Sequence, residues 1–264
     1  MRAVNASQLQ ALCEIALAAG DEIMRVYAGA AGTVTKADGS PLTEADLRAD
    51  RVIVDGLRKL FPTVPIVSEE SSPVIPAGNG PFFLVDPLDG TREFVARNGE
   101  FTVNIAFIED GEPVAGVVGV PALGELFCAS RGHGAWWSQG RGEPVQIRVA
   151  PAAAGQPLRV LGSRNHRRAE TQAWLSTLAR RSVVEPLGSS LKFCRIAQGR
   201  ADLYPRLGPT SQWDTAAGQA VLCEAGGAVR FSGSHPPRYG AHRSLINPSF
   251  VAMADPSWDL PPLP

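Results

Sequence analysis

Residues 82–93 read FFLVDPLDGTRE, and the fold turns on them. The apolar run Phe82 to Val85 has the length and composition of a strand buried on both faces, the kind a layered α/β protein carries inside a sheet. The run stops on Asp86. A proline follows, then Leu88, then a second acid, Asp89, before Gly90-Thr91. A turn at a strand end is well served by one aspartate with proline and glycine. Two carboxylates beside a buried strand repel each other and are costly to desolvate. Either they lie in water or something positive sits between them.

Acids stand at the ends of two other segments. VPIVSEE closes on Glu69-Glu70, and Asp214 opens a helix in QWDTAAGQA. Taken alone, Asp214 reads most simply as a helix N-cap, Glu69 and Glu70 as solvated surface acids, and DPLDG as a turn. Taken together, four acids with no histidine or cysteine nearby offer the all-oxygen donor set of Mg²⁺ or Mn²⁺ rather than that of zinc. Asp86, flanked by acids, is placed to bridge two ions about 4 Å apart. The kink at Pro87 turns the Leu88 carbonyl inward as a neutral ligand. Gly90 and Thr91 offer backbone N–H groups to a phosphate where the turn enters REFV. The D-x-D-G-T motif of covalent aspartyl-phosphate chemistry does not fit, because Pro87 occupies the nucleophile's position. That favours a metal-activated water.

The rest of the chain sets bounds. With 264 residues, 44% hydrophobic, it has material for one large domain or two intimate halves. A net charge of −1, from 25 basic and 26 acidic residues, carries neither a nucleic-acid footprint nor a polybasic membrane signal. The first residues have no apolar segment with a cleavage site, and no run reaches the roughly 20 apolar residues of a membrane span. Cys13, Cys128, Cys194 and Cys223 form no C-x-x-C pair and read as buried, reduced thiols. The tail DPSWDLPPLP reads as disordered.

Helical spacing from Leu9 to Val26 predicts a first helix ended by Gly29, and Thr43 with Asp46 predicts a capping box at the start of a second. FTVNIAFIEDGEPVAGVVGV reads as a hairpin turning at Asp110-Gly111, with ELFCAS, GAWW and VQIRVA continuing an antiparallel meander. After Pro151 strands alternate with helices: PLRVLGS, a helix over 168–181, SVVEP, a helix over 189–199, ADLYP and a helix over 214–225. Two subdomains are expected. Residues 1–150 hold an antiparallel sheet and most candidate ligands, and 151–264 form an α/β half with Asp214.

SEE, LVDPLDGTREF, RNGEFTVNIA, GSSLKFC, YPRLGPT and WDTAAG, in this order over roughly residues 8 to 250, resemble the inositol monophosphatase superfamily. Within it they are similar to the CysQ-type branch of 3′(2′),5′-bisphosphate nucleotidases. The resemblance implies a sugar-phosphatase fold of alternating α-β-α-β-α layers, an α+β sandwich. It implies a Mg²⁺-dependent, lithium-sensitive hydrolase that converts adenosine 3′,5′-bisphosphate to AMP and phosphate, in the cytoplasm or at the cytoplasmic face of the inner membrane. It implies a role in sulfur assimilation, a small-molecule nucleotide substrate, no nucleic-acid partner and no transmembrane segment.

Carried over residue by residue, the metal ligands fall on Glu69, Asp86, the Leu88 carbonyl, Asp89 and Asp214, and the water-activating pair on Glu69 and Thr91. Two Mg²⁺ ions are implied, or three with a weak ion near Lys36 and Asp46, which puts Asp46 with Glu69 and Thr91 among the expected catalytic residues. The substrate is expected to meet Glu69, Leu88, Asp89, Gly90, Thr91 and Asp214 at the scissile phosphate. On the nucleotide side it meets Ser163, Arg164 and Lys192, with His166, Arg167, Ser189, Ser190 and Arg206 as further polar candidates. Trp136, Trp137 and Trp213 read as core. Inositol monophosphatases carry a glutamate seven residues before the tryptophan-aspartate acid, where this chain has Leu207. The rival functions are an inositol monophosphatase and a non-catalytic nucleotide- or metal-binding module.

Overall fold

In the computed structural model the described residues are 4–29, 33–35, 41–71, 80–164, 169–233, 238–240 and 245–264. The elements run α1 (Ala6–Ala28), β1 (Thr33–Thr35), β2 (Pro41–Thr43), α2 (Glu44–Leu60), β3 (Ile66–Ser68), β4 (Phe82–Asp89), α3 (Thr91–Val95), β5 (Thr102–Glu109), β6 (Glu112–Val120), β7 (Glu125–Ser130), β8 (Ala135–Gln139) and β9 (Val145–Ile147). They continue with β10 (Leu158–Gly162), α4 (Ala169–Ser176), β11 (Ser182–Pro186), α5 (Leu191–Ala197), β12 (Leu203–Arg206), α6 (Ala216–Glu224), β13 (Ala228–Phe231) and β14 (Phe250–Met253).

β3 to β9 form a seven-stranded sheet in sequence order, in which β3 runs parallel to β4 and the rest is an antiparallel meander. The β5–β6 hairpin turns at Asp110 and Gly111, both left-handed (φ 53° and 74°), which matches the twist of the flanking strands. A second sheet has the order β11-β10-β12-β14-β13, with β10 parallel to β11 and β12 and the other pairs antiparallel.

Three apolar clusters hold these sheets in five layers. The first packs α1 and α2 on one face of the large sheet, through Leu12, Ile23, Ile53 and Leu57 against Phe83, Val85, Ile105 and Val117. The second fills the space between the sheets with α5 and α6, where Phe193 and Val221 meet Leu84, Val118 and Phe127 on one side and Tyr204 and Phe250 on the other. The third packs Trp174 and Leu175 of α4 against Leu158, Val160 and Val251. The first half of β4, Phe82 to Val85, is apolar because it lies between helices on both faces: Phe82 and Leu84 point to α5 and α6, and Phe83 and Val85 point to α1 and α2. α6 lies almost directly on β6. A Cβ built on Gly116 would stand 2.5 Å from the Ala217 carbonyl oxygen, so only glycine permits this approach.

The predicted capping box of Thr43 with Asp46 is formed on α2, and α1 carries a second, Asn5 with Gln8, that the sequence reading did not anticipate. Such a cap stabilises a helix by about 1 kcal/mol. The later helices are shorter than their sequence periods suggest. α4 stops at Ser176, where the hydroxyls of Ser176 and Thr177 bond back to the Ala173 and Trp174 carbonyls. α5 begins only at Leu191 because Ser189 is left-handed (φ 46°). Strands β13 and β14 are additions the sequence pattern did not reveal.

The tail corrects an expectation. It has no regular secondary structure, yet Trp258, Leu260 and Leu263 pack on the third cluster and Trp174 Nε1 donates to the Pro262 carbonyl at 3.2 Å. All four cysteines are free, but not all are buried: Cys194 is, and Cys223 is exposed. No helix of the described residues is long and apolar enough to cross a membrane.

Candidate active site

Strand periodicity builds the site. Residues two apart on β4 share a face, so Asp86 follows Phe82 and Leu84 toward the α5–α6 layer. Asp89, three residues on, would point the other way in a regular strand. A bulge prevents this: Asp86 pairs with Asn104 and Asp89 with Thr102, so three steps on β4 oppose two on β5. Pro87 sits in the bulge, where its missing N–H costs no ladder bond. This explains the D-P-L-D spacing, since the extra residue returns the second carboxylate to the first one's side.

α6 comes down on the same face. One carboxylate oxygen each of Glu69, Asp86 and Asp214 lies within 4.8 Å of the others. Asp214 is not the cap of α6, because Thr215 holds that position and the Asp214 carboxylate accepts the Ser211 N–H at 2.9 Å. Glu69 is no solvated surface acid. It is half-buried beyond β3, with its N–H bonded to the Val85 carbonyl at 3.1 Å. Asp86 is 1% exposed and accepts the Leu88 N–H at 3.0 Å. Asp89 accepts the Ser190 N–H at 2.5 Å.

The electrostatics follow from this crowding. Burial, and then the carboxylates of Glu69, Asp89 and Asp214, push Asp86 well above the usual carboxylate range. Burial with Asp89 and Glu69 pushes Asp214 up to about 8. Asp89 rises to about 6 by burial, while the Lys192 charge and the Ser190 N–H hold it down. A cluster that holds its protons this firmly is short of positive charge. Its donors are all hard oxygens, so the arrangement fits a divalent cation of the Mg²⁺ type.

These groups line one cavity of about 280 Å³ with Leu88, Gly90, Thr91, Ser163, Ser189, Lys192, Arg206 and Trp213. Thr91 Oγ1 donates to the Leu88 carbonyl at 3.4 Å. Gly90 is left-handed (φ 89°) and α3 has no side-chain cap, which leaves its first N–H groups for ligand oxygens. α3 has only five residues and is held from outside, with Phe94 packed 5.1 Å from Tyr27 and 5.3 Å from Phe101. Lys192 is 3% exposed. Its Nζ donates to the Ser189 and Leu187 carbonyls at 2.6 and 3.1 Å and lies 4.8 Å from the Tyr204 ring centroid. Burial brings its pKa down to about 8 against the opposing pull of Asp89.

Other candidates lie elsewhere. Asp46 is buried in its capping box, accepting the Thr43 N–H and hydroxyl at 2.8 and 2.6 Å, and does not line the cavity. Arg164 is in a bidentate pair with Glu100 (2.7 and 2.5 Å) and is outside the cavity lining. Lys36, His166 and Arg167 fall outside the described residues. Trp213 and Trp137 both pack on the core between the sheets, as read, and Trp213 also borders the cavity. Asn104 went unnoticed. It is fully buried, accepts the Ser190 hydroxyl at 2.7 Å, and faces the acids from β5. An asparagine inside the apolar run FTVNIAF was the available signal.

The inositol monophosphatase family model matches residues 5–258. The chain belongs to the inositol monophosphatase family. Among relatives in this family, the Escherichia coli 3′(2′),5′-bisphosphate nucleotidase CysQ is 46% identical over 246 residues, covering 92% of this chain and 98% of its own. The Haemophilus influenzae protein of the same name is 31% identical over 262 residues, covering 98% and 97%. The crystal structure of CysQ from Bacteroides thetaiotaomicron superposes with a TM-score of 0.82 at 36% identity, covering 94% and 97%. The inositol monophosphatase of Thermotoga maritima superposes with a TM-score of 0.77 at 29% identity, covering 94% and 92%. The five-layered arrangement is therefore the family's own.

Proposed function

We propose that this chain is a Mg²⁺-dependent 3′(2′),5′-bisphosphate nucleotidase. It removes the 3′-phosphate of adenosine 3′,5′-bisphosphate and so recycles a nucleotide by-product of sulfur assimilation. The observation that carries the reading is a cavity with two unlike walls. Glu69, Asp86, Asp89 and Asp214 line one side, and Lys192 and Arg206 enter from other segments. An adjoining pocket of about 120 Å³ shares Ser163 and Arg206 with it and continues between Leu175, Val184, Pro205 and Leu207, an apolar slot suited to a base. Relatives that bear the nucleotidase name at up to 46% identity support the same substrate.

The chain's own groups divide the reaction as follows. Glu69, Asp86, Asp89, Asp214 and the Leu88 carbonyl hold the cations, two in this reading. When bound, Mg²⁺ neutralises phosphate charge and lowers the pKa of a coordinated water. Glu69 and Thr91 orient the attacking water, and Glu69 accepts its proton. The N–H groups at the start of α3 bind phosphate oxygens and fix the line of attack. No ester to the protein forms. Residues 1–150 supply most of the cation ligands, and 151–264 supply Asp214 and the nucleotide contacts.

Phosphate release from adenosine 3′,5′-bisphosphate, inositol 1-phosphate and fructose 1,6-bisphosphate tests the reading. A preference of about 10⁴ in kcat/KM for the nucleotide is expected, because the cationic wall stays unpaired when a second phosphate is missing. Comparable values for inositol 1-phosphate would reassign the chain to the inositol phosphatases.

A further inference from the structure

The wall that carries Lys192 is closed by a ring of hydrogen bonds with Glu100 at its centre. Glu100 stands just before β5, its side chain 14% exposed. One carboxylate oxygen accepts both the Arg164 Nε–H at 2.7 Å and the Gly188 N–H at 2.8 Å, and the other accepts Arg164 Nη2 at 2.5 Å. The ring closes through backbone, since the Leu187 N–H donates to the Gly162 carbonyl at 2.9 Å. Ser163, between Gly162 and Arg164, lines the cavity. The two carbonyls that hold the Lys192 ammonium, Leu187 and Ser189, flank Gly188. Gly188 lies close against Glu100, and a Cβ there would meet the Glu100 carbonyl oxygen at 2.8 Å, so only glycine fits.

We propose that Glu100 and Arg164 form a clasp that positions Ser163 and Lys192 for a substrate bearing a second phosphate. Glu100 acts through other residues and is a positioning residue. Arg164 serves the clasp and does not touch the nucleotide. A bidentate guanidinium–carboxylate pair fixes two segments in orientation as well as distance, which a single hydrogen bond does not. The proposal rests on the nucleotidase reading and assigns its specificity to a pair outside the cavity.

The test measures KM and kcat of wild type, Glu100→Gln, Arg164→Gln and the double variant, each with adenosine 3′,5′-bisphosphate and adenosine 3′-monophosphate. Glutamine keeps the shape of Glu100 and an acceptor for Gly188, but loses the charged pair. Each single variant is expected to raise KM for the bisphosphate about tenfold and leave KM for the monophosphate unchanged, with kcat of Glu100→Gln within about twofold. The double variant is expected to be no worse than the poorer single, as for two residues acting as one unit. If Glu100→Gln leaves the bisphosphate KM unchanged while Arg164→Gln raises it, Arg164 binds substrate itself and the clasp is overturned. Equal losses on both substrates with a lowered Tm would show a merely structural pair. A wild-type enzyme with no preference for the bisphosphate would refute the nucleotidase reading instead.

Discussion

The two walls of the cavity are built on opposite principles. The acidic wall is local: Asp86, the bulge at Pro87, Asp89 and the left-handed Gly90 come from one stretch of chain, and only Glu69 and Asp214 are delivered from elsewhere. The cationic wall is long-range. Lys192 is held by the 187–189 loop, that loop by Glu100, and Glu100 by Arg164 at the end of β10. The first wall is over-supplied with like charge and relies on cations to satisfy it. In the second, Lys192 is held by neutral carbonyls and Arg164 by a carboxylate, while Arg206 Nε is buried without a hydrogen-bond partner among the described residues. Chemistry common to a family of phosphatases is placed in the compact motif. The proposed clasp would place substrate choice in contacts between distant segments.

Withdrawing the cations should break the first wall entirely. Phosphate release is expected to vanish in a chelator and return with Mg²⁺, while excess Ca²⁺, too large for tight octahedral geometry, suppresses it. Full turnover in a chelator would leave the clustered acids without a role. Next in size, Asp86→Asn and Asp214→Asn should each cost a hundredfold or more in kcat, the scale of lost transition-state charge stabilisation, with circular dichroism unchanged. Retention of turnover in Asp214→Asn would reduce that residue to a bracket for the Ser211 N–H. Thr91→Ala should lower kcat about a hundredfold, as for loss of a group that positions the attacking water. Phosphate affinity, which uses backbone N–H groups, should hold. Parallel losses in both would merge the two roles. The smallest effect belongs to the other wall. Lys192→Ala should raise KM for the bisphosphate roughly thirtyfold, the cost of one charge-assisted contact, and change inositol 1-phosphate hydrolysis little. An equal loss on both substrates would make Lys192 a structural cation of the Asp89 side.

The same contrast explains what was legible beforehand. Apolar composition and length made β4 a central strand, and the D-P-L-D-G-T spacing carried its chemistry openly, because both depend on neighbours in sequence. The hairpin at Asp110-Gly111 was visible for the same reason, as two left-handed positions select those residues. Glu100 was not visible. In Asn98-Gly99-Glu100 it reads as one more polar residue of a turn, and its partners lie 64 and 88 positions away. The reading of Arg164 as a phosphate ligand drew on charge alone, and charge does not disclose a carboxylate arriving from β5. The tail was misread because its prolines forbid regular structure but not burial, and Trp258 and Leu260 settle on the third cluster without hydrogen-bonded repeats.

The contact between Gly116 and Ala217 gives the molecule a datum surface. Most helix–sheet spacings are set by side chains, which drift by tenths of an ångström as a core is repacked. Here backbone rests on backbone, and the gap between β6 and α6 is fixed by atoms no substitution in the surrounding core can alter. Asp214 is carried at the head of α6, and Asp86 lies two strands from Gly116 in the same sheet. The separation of the two acids is therefore referenced to that hard stop. The rest of the core is free to vary in sequence while the tolerance that octahedral cation coordination would demand is kept.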